Sequence, residues 1–167
     1  MRRCMVRVVL YTLALGAFLA STGVASAVTA PPRKQLLLAI NRVRASYGMR
    51  DLLGAPALRT VALRHSQDML ARNYFAHTSP TGSTVTSRII RSGFVSGHWW
   101  RGAETLAWGT GRRASADATV AAWLRSPVHR AIVLASEFHW VGIGRNCGRF
   151  AGYPGACVWT ADFVVRR

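Results

Sequence analysis

Apolar side chains recur at spacings of three and four through Leu36, Leu37, Ile40 and Val43, which predicts a helix with one buried face over Arg33 to Tyr47, stopped by Gly48. A loop through Gly54 and Pro56 leads to a second stripe, Leu58, Ala62, His65 and Met69, on a helix from Pro56 to Asn73. Residues 73–82 are rich in turn formers and carry no period. A short helix follows from Val85 to Ser92, with Ile89 and Ile90 expected inward and Gly93 at its end. The period then drops to two, with Leu106 and Trp108 alternating along an expected strand from Ala103 to Gly109. Helical spacing returns over Ala114 to Arg125, where Val120 and Trp123 face inward. Ser126 as N-cap and Pro127 as first helical residue open a turn to Ala135 that sets His129 near its start. Phe138 to Arg145 and Ala156 to Val165 alternate like antiparallel strands, with Gly148 to Gly155 expected to join them. Helices before and after a small antiparallel sheet make an α+β domain.

The N-terminal pattern is of another kind. Arg2, Arg3 and Arg7 precede an apolar run from Val8 to about Ala20, and Ala25-Ser26-Ala27 follows as a small-x-small cleavage site. This is the order of a secretory signal peptide over residues 1–27, with a mature chain beginning at Val28. The run of roughly 13 residues is short of the about 20 that a membrane span needs, so an uncleaved anchor is the weaker reading and no stable span is expected after signal removal. Cys4 stands before the run, and no cysteine follows it at a lipid-attachment position. Residues 28–35 read as a short extended lead, because Pro31 and Pro32 interrupt regular structure, and 36–167 as one domain.

Composition narrows the partners. The formal charge is +16, and about +13 without the first 27 residues, so the chain attracts polyanions. Its arginines are scattered singly and no helix-turn-helix or RNP pattern occurs, which argues against nucleic acid. Anionic cell-envelope polymers and lipid headgroups are the expected partners, with a secreted or envelope-associated location. Cys147 and Cys157 lie ten apart across a Gly/Pro-rich segment. In an oxidising compartment they are expected to form a disulfide that pins a hairpin, two free buried thiols being the alternative.

Five short motifs stand in order along the chain: Tyr74-Phe75-Ala76-His77-Thr78-Ser79-Pro80, Gly102-Ala103-Glu104-Thr105-Leu106-Ala107, Trp123-Leu124-Arg125-Ser126-Pro127-Val128-His129-Arg130, Trp140-Val141-Gly142-Ile143-Gly144 and Trp159-Thr160-Ala161-Asp162-Phe163. With Asn41, Arg44 and the His65-Ser66-x-Asp68-Met69 segment, they make the chain resemble the bacterial branch of the CAP superfamily from Leu36 to Phe163. These are the SCP-like secreted proteins related to plant PR-1 and insect venom allergen 5. The resemblance implies a three-layer α-β-α sandwich and a cleft lined by His77, Glu104 and His129. Ser126 stands where many eukaryotic members carry a second acid, and Thr105 where an asparagine is usual. Some members hold a divalent metal in this cleft, and two neutral imidazoles and a carboxylate from His77, Glu104 and His129 suit zinc with a position left open. The resemblance also makes Asn41 and Arg44 structural hydrogen-bonders, whereas the residues alone read as an exposed polar face. His65, on an apolar stripe, reads as a core histidine outside the site.

The reading for function is a secreted CAP-domain protein that is a non-catalytic ligand-binding or cell-envelope module rather than an enzyme. A protease-like hydrolase is the first alternative: Ser126 precedes His129 by three residues, but no Gly-x-Ser-x-Gly elbow is present and only one of two carboxylates for glycoside cleavage is supplied. Lipid or sterol binding is the second, with Trp99 and Trp100 as apolar contacts.

Overall fold

The computed structural model describes residues 30–167. The expected signal segment 1–27 and the mature start at Val28 lie outside the described residues. Five α-helices and four strands follow in the order α1 (Pro32–Ser46), β1 (Leu53–Gly54), α2 (Pro56–Arg72), α3 (Val85–Arg91), β2 (Trp100–Gly109), α4 (Ala116–Arg125), α5 (Pro127–Val133), β3 (Trp140–Phe150) and β4 (Tyr153–Arg166). Helix α1 starts at Pro32, where the fixed φ of proline suits a first turn, so residues 32–35 are helical rather than part of an extended lead.

The strands form one sheet in the order β1-β3-β4-β2. Its three long strands are antiparallel, as expected, and the two-residue β1 adds a parallel edge beside β3. One sheet face packs Val141, Ile143, Trp159, Ala161 and Phe163 against Leu36 and Ile40 of α1, Val120 and Trp123 of α4 and Val133 of α5. The other packs Val164 against Leu58 of α2 and Ile89 of α3, and Leu106 and Val158 against Met69 of α2. Two helical layers around a sheet are the three-layer α-β-α sandwich. Residues alternating along β4 serve both cores, which is why a strand of period two can look apolar throughout.

Helix α2 lies directly on β3 because that strand lacks side chains where the two cross. A Cβ placed on Gly142 would come within 2.1 Å of the Leu58 carbonyl carbon, and one on Gly144 within 2.3 Å of that of Ala62. The contact brings α2, and His65 with it, close over the middle of the sheet.

Three local expectations are corrected. The segment from Gly148 to Gly155 is mostly strand: β3 runs to Phe150 and β4 starts at Tyr153, and only Ala151 (φ 49°) and Gly152 (φ 84°) make the turn. Two consecutive residues at positive φ match the twist of a tight hairpin. Cys147 and Cys157 then face each other in register and are disulfide-bonded, with their Cα atoms 4.0 Å apart. Ile90 is 53% exposed while Ile89 is buried, because α3 turns its Val85, Arg88 and Ile89 side towards the protein. Arg44 is 1% exposed instead of lying on a polar face. It donates to the carbonyls of Arg50, Val133 and Ala135 at 3.0, 2.9 and 2.9 Å, and Asn41 makes a reciprocal pair with the backbone of Leu52. The structural roles implied for Asn41 and Arg44 thus have specific partners.

Candidate functional site

Glu104 projects from the middle of β2 towards the α2 side of the sheet, and its side chain is 1% exposed. A carboxylate so placed has to be paired. One oxygen, Oε1, accepts from His77 Nδ1 at 2.8 Å, and the other, Oε2, accepts from Arg88 Nη2 at 2.7 Å. Burial acts to raise the Glu104 pKa, but the His77 hydrogen bond and the positive charge of Arg88 outweigh it and hold the carboxyl below its ordinary value. With Glu104 ionised, the proton of the shared bond belongs on His77 Nδ1, leaving the Nε2 lone pair of this exposed ring turned to other uses.

The loop before α3 carries His77, and Arg88 sets its position. Arg88 Nη1 donates to the carbonyls of His77 and Ser83 at 3.0 and 2.8 Å while Nη2 holds Glu104. The Ser79 hydroxyl accepts from Ser83 N at 3.0 Å and tightens the same turn. From α2, His65 Nε2 lies 3.0 Å from the Ala76 carbonyl and 3.8 Å from Glu104 Oε1. Burial lowers the His65 pKa although Glu104 opposes the shift, so a neutral ring donating to Ala76 accounts for the contact. His65 is a core residue, as its stripe implies, but one that abuts the carboxylate.

His129 enters from the first turn of α5 and is half-buried. Burial and then the charge of His77 push its pKa below the ordinary 6.5, so it is a neutral donor of a lone pair at neutral pH. His77 and Glu104 are therefore in direct contact, with His129 within electrostatic reach of His77. Ser126 takes the N-cap position of α5 but its side chain makes no capping hydrogen bond; Pro127 at the first helical position reduces the need for one. Among the described residues Ser126 has no hydrogen bond to His129.

Two site-shaping residues escape a reading of the sequence. Arg88 stands three residues after Val85 and beside Ile89, so its signal was an arginine on an inward stripe. Asp162 is fully buried on β4, directly opposite Glu104. Its signal was an acid alternating with the inward Thr160 and Val164. Burial and the neighbouring Glu104 charge raise its pKa well above the ordinary value.

The sandwich and its paired histidine and glutamate define a class, and likeness to known proteins gives that class its name. The model of the CAP family, the cysteine-rich secretory protein family, matches residues 37–163, and the chain belongs to it. It is 31% identical over 111 residues to the uncharacterized membrane protein YlbC of Bacillus subtilis, a match covering 66% of this chain and 30% of that protein. It is 28% identical over 144 residues to the uncharacterized protein YkwD of the same organism, covering 86% and 51%. The chain thus matches about a third and about half of the lengths of these relatives. Among solved structures, an extracellular protein containing an SCP domain from Bacillus anthracis superposes with a TM-score of 0.65 at 27% identity, covering 80% of this chain and 40% of that one. An outer surface protein of Borrelia burgdorferi shares the fold, with a TM-score of 0.67 at 22% identity over 80% and 92% of the two chains. No helix among the described residues is long and apolar enough to cross a membrane.

Proposed function

We propose that this CAP domain works outside the cytoplasm as a non-catalytic binding module, and that its binding end is the cleft marked by His77, Glu104, Ser126 and His129. The observation that carries the reading is the 2.8 Å bond from His77 Nδ1 to a Glu104 carboxylate already fixed by Arg88. A histidine so oriented offers its outer nitrogen in one direction, at little further cost in ordering. The two structural neighbours, one an extracellular protein and the other an outer surface protein, favour an exported location. The positive charge favours anionic envelope material as surroundings.

The cleft fits a divalent metal only in part. No three His, Cys, Asp or Glu among the described residues are grouped as a ligand set, and both Glu104 oxygens are taken. His77 Nε2 and His129 are the donors that would hold zinc, with Glu104 as the partner that orients His77 rather than as a ligand. A bound metal would supply a Lewis-acidic anchor for an anionic ligand group. Among the described residues Ser126 has no partner that would make it a nucleophile, and Trp100 packs beside the Ile89 and Val164 core while Trp99 is exposed, so neither alternative has a comparable observation behind it.

Calorimetric titration of the exported protein with zinc tests the reading. One zinc per chain is expected at pH 7.5, lost on acidification as the imidazoles protonate, and abolished by His77→Ala or His129→Ala. Stoichiometric binding that survives both substitutions would place any metal elsewhere.

A further inference from the structure

A cavity of about 790 Å³ opens between α2 and α3. Neither His77 nor His129 lines it, but His65 and Arg88 do, so it adjoins the Glu104 cluster described above without including its two outer histidines. Its volume falls in the range of sites for small organic ligands, about 300–1,000 Å³.

The lining mixes polar and apolar surface and carries three arginines against one acid. Arg64 from α2 and Arg91 from α3 are exposed and stand on its two walls, with the buried Arg88 beneath them. Among the described residues Arg64 and Arg91 have no carboxylate partner, and Arg91 donates only to the Ser83 hydroxyl. The one acid in the lining, Asp68, is already held by Arg72 Nε at 2.8 Å and by the Tyr74 hydroxyl at 2.6 Å. Arg88 is nine-tenths buried, and its Nε has no hydrogen-bond partner among the described residues. Hydroxyls of Thr81 and Ser87 complete the edge on the α3 side.

A single carboxylate would use one guanidinium fork and leave the second wall unmatched. A phosphate group offers three or four acceptor oxygens, enough for two forks and neighbouring hydroxyls, and guanidinium binds it in two-bond geometry. The remaining volume, with hydroxyl edges and no Phe, Tyr or Trp in its lining, suits a hydrophilic body attached to the phosphate. We propose that the groove between α2 and α3 is a second ligand site, which takes a phosphate group carried on a small polyol or sugar. The groove shares Arg88 with the Glu104 cluster and calls on no metal.

The test is calorimetric titration of the exported protein at low ionic strength with glycerol 3-phosphate, inorganic phosphate, glycerol and phosphatidylglycerol vesicles as probes. Glycerol 3-phosphate is expected to bind more tightly than inorganic phosphate, and glycerol not at all. Arg64→Gln or Arg91→Gln should each weaken binding about tenfold, the loss of one charge-assisted contact. The Arg112→Gln/Arg113→Gln pair removes two exposed charges elsewhere and should leave the affinity little changed. Thermal melts establish that each variant is folded. An equal loss in the Arg112→Gln/Arg113→Gln pair and in an Arg64→Gln/Arg91→Gln double variant would assign the effect to the general field and overturn the site. Absence of binding by both phosphate probes would overturn it too, as would binding confined to phosphatidylglycerol vesicles.

Discussion

Glu104 and Asp162 sit directly opposite each other across β2 and β4, both buried, yet only Glu104 has partners. Neither Asp162 oxygen accepts a hydrogen bond from a described residue. Two unlike environments on one pair of strands push the two carboxyl groups apart. His77 and Arg88 push Glu104 towards its ionised form, and burial and the Glu104 charge beside it push Asp162 towards its protonated form.

Asp162 should therefore make the protein less stable as pH rises. Its folded pKa is raised above the ordinary 3.8, so the native state keeps a proton that the unfolded chain releases, and stability falls as pH climbs from about 4 towards the raised value. Glu104 acts in the opposite sense, its contribution being lost as pH falls through its lowered pKa. Asp162→Asn keeps the side chain's size and removes the first effect. Thermal melts across pH 4 to 8 should show the variant gaining on the native protein with rising pH; an equal loss at every pH would mean that Asp162 is not protonated in the fold.

Arg88→Met should destabilise the protein by about 3 kcal/mol, because it strips a buried carboxylate of one partner, leaves the His77 carbonyl without its donor and takes one of two donors from the Ser83 carbonyl. The partner change Glu104→Gln should alter the tautomer balance of His77, read from its ring ¹⁵N shifts. If Arg88→Met melted like the native protein, Arg88 would not be the residue that fixes the loop.

Gly144→Ala should cost about 3 kcal/mol or more, since the new methyl would meet the backbone of α2 rather than a side chain able to turn away. Gly152→Ala is the control, with open space around its Cβ but a left-handed φ of 84°, and about 1 kcal/mol is expected there. Denaturant titration separates the two. Equal costs would mean that α2 does not rest on β3 through the missing side chain.

Intact-mass analysis of the exported protein should give a chain starting near Val28 and two mass units short of the reduced form. Reducing the Cys147–Cys157 bond should lower stability by about 3 kcal/mol, the loop entropy of so short a closure. A retained Met1 would refute the signal reading, and thiols that label before reduction would refute the bond.

Much of the architecture was determined by the sequence itself. The stripe of Leu36 and Ile40, the inward Val120 and Trp123 and the alternation of β4 all follow from the local geometry of helix and strand, and each such side chain is buried where its period puts it. The same motifs marked His77, Glu104 and His129 by their place in the chain. What only the tertiary structure decided is which of these side chains meet. Strand register set Asp162 against Glu104, the rotation of α3 turned Arg88 inward in place of Ile90, and the bare backbone of Gly142 and Gly144 let α2 carry His65 to within 3.8 Å of the same carboxylate. Those meetings join segments far apart in sequence, and periodicity reports the face a residue shows without naming what that face will touch.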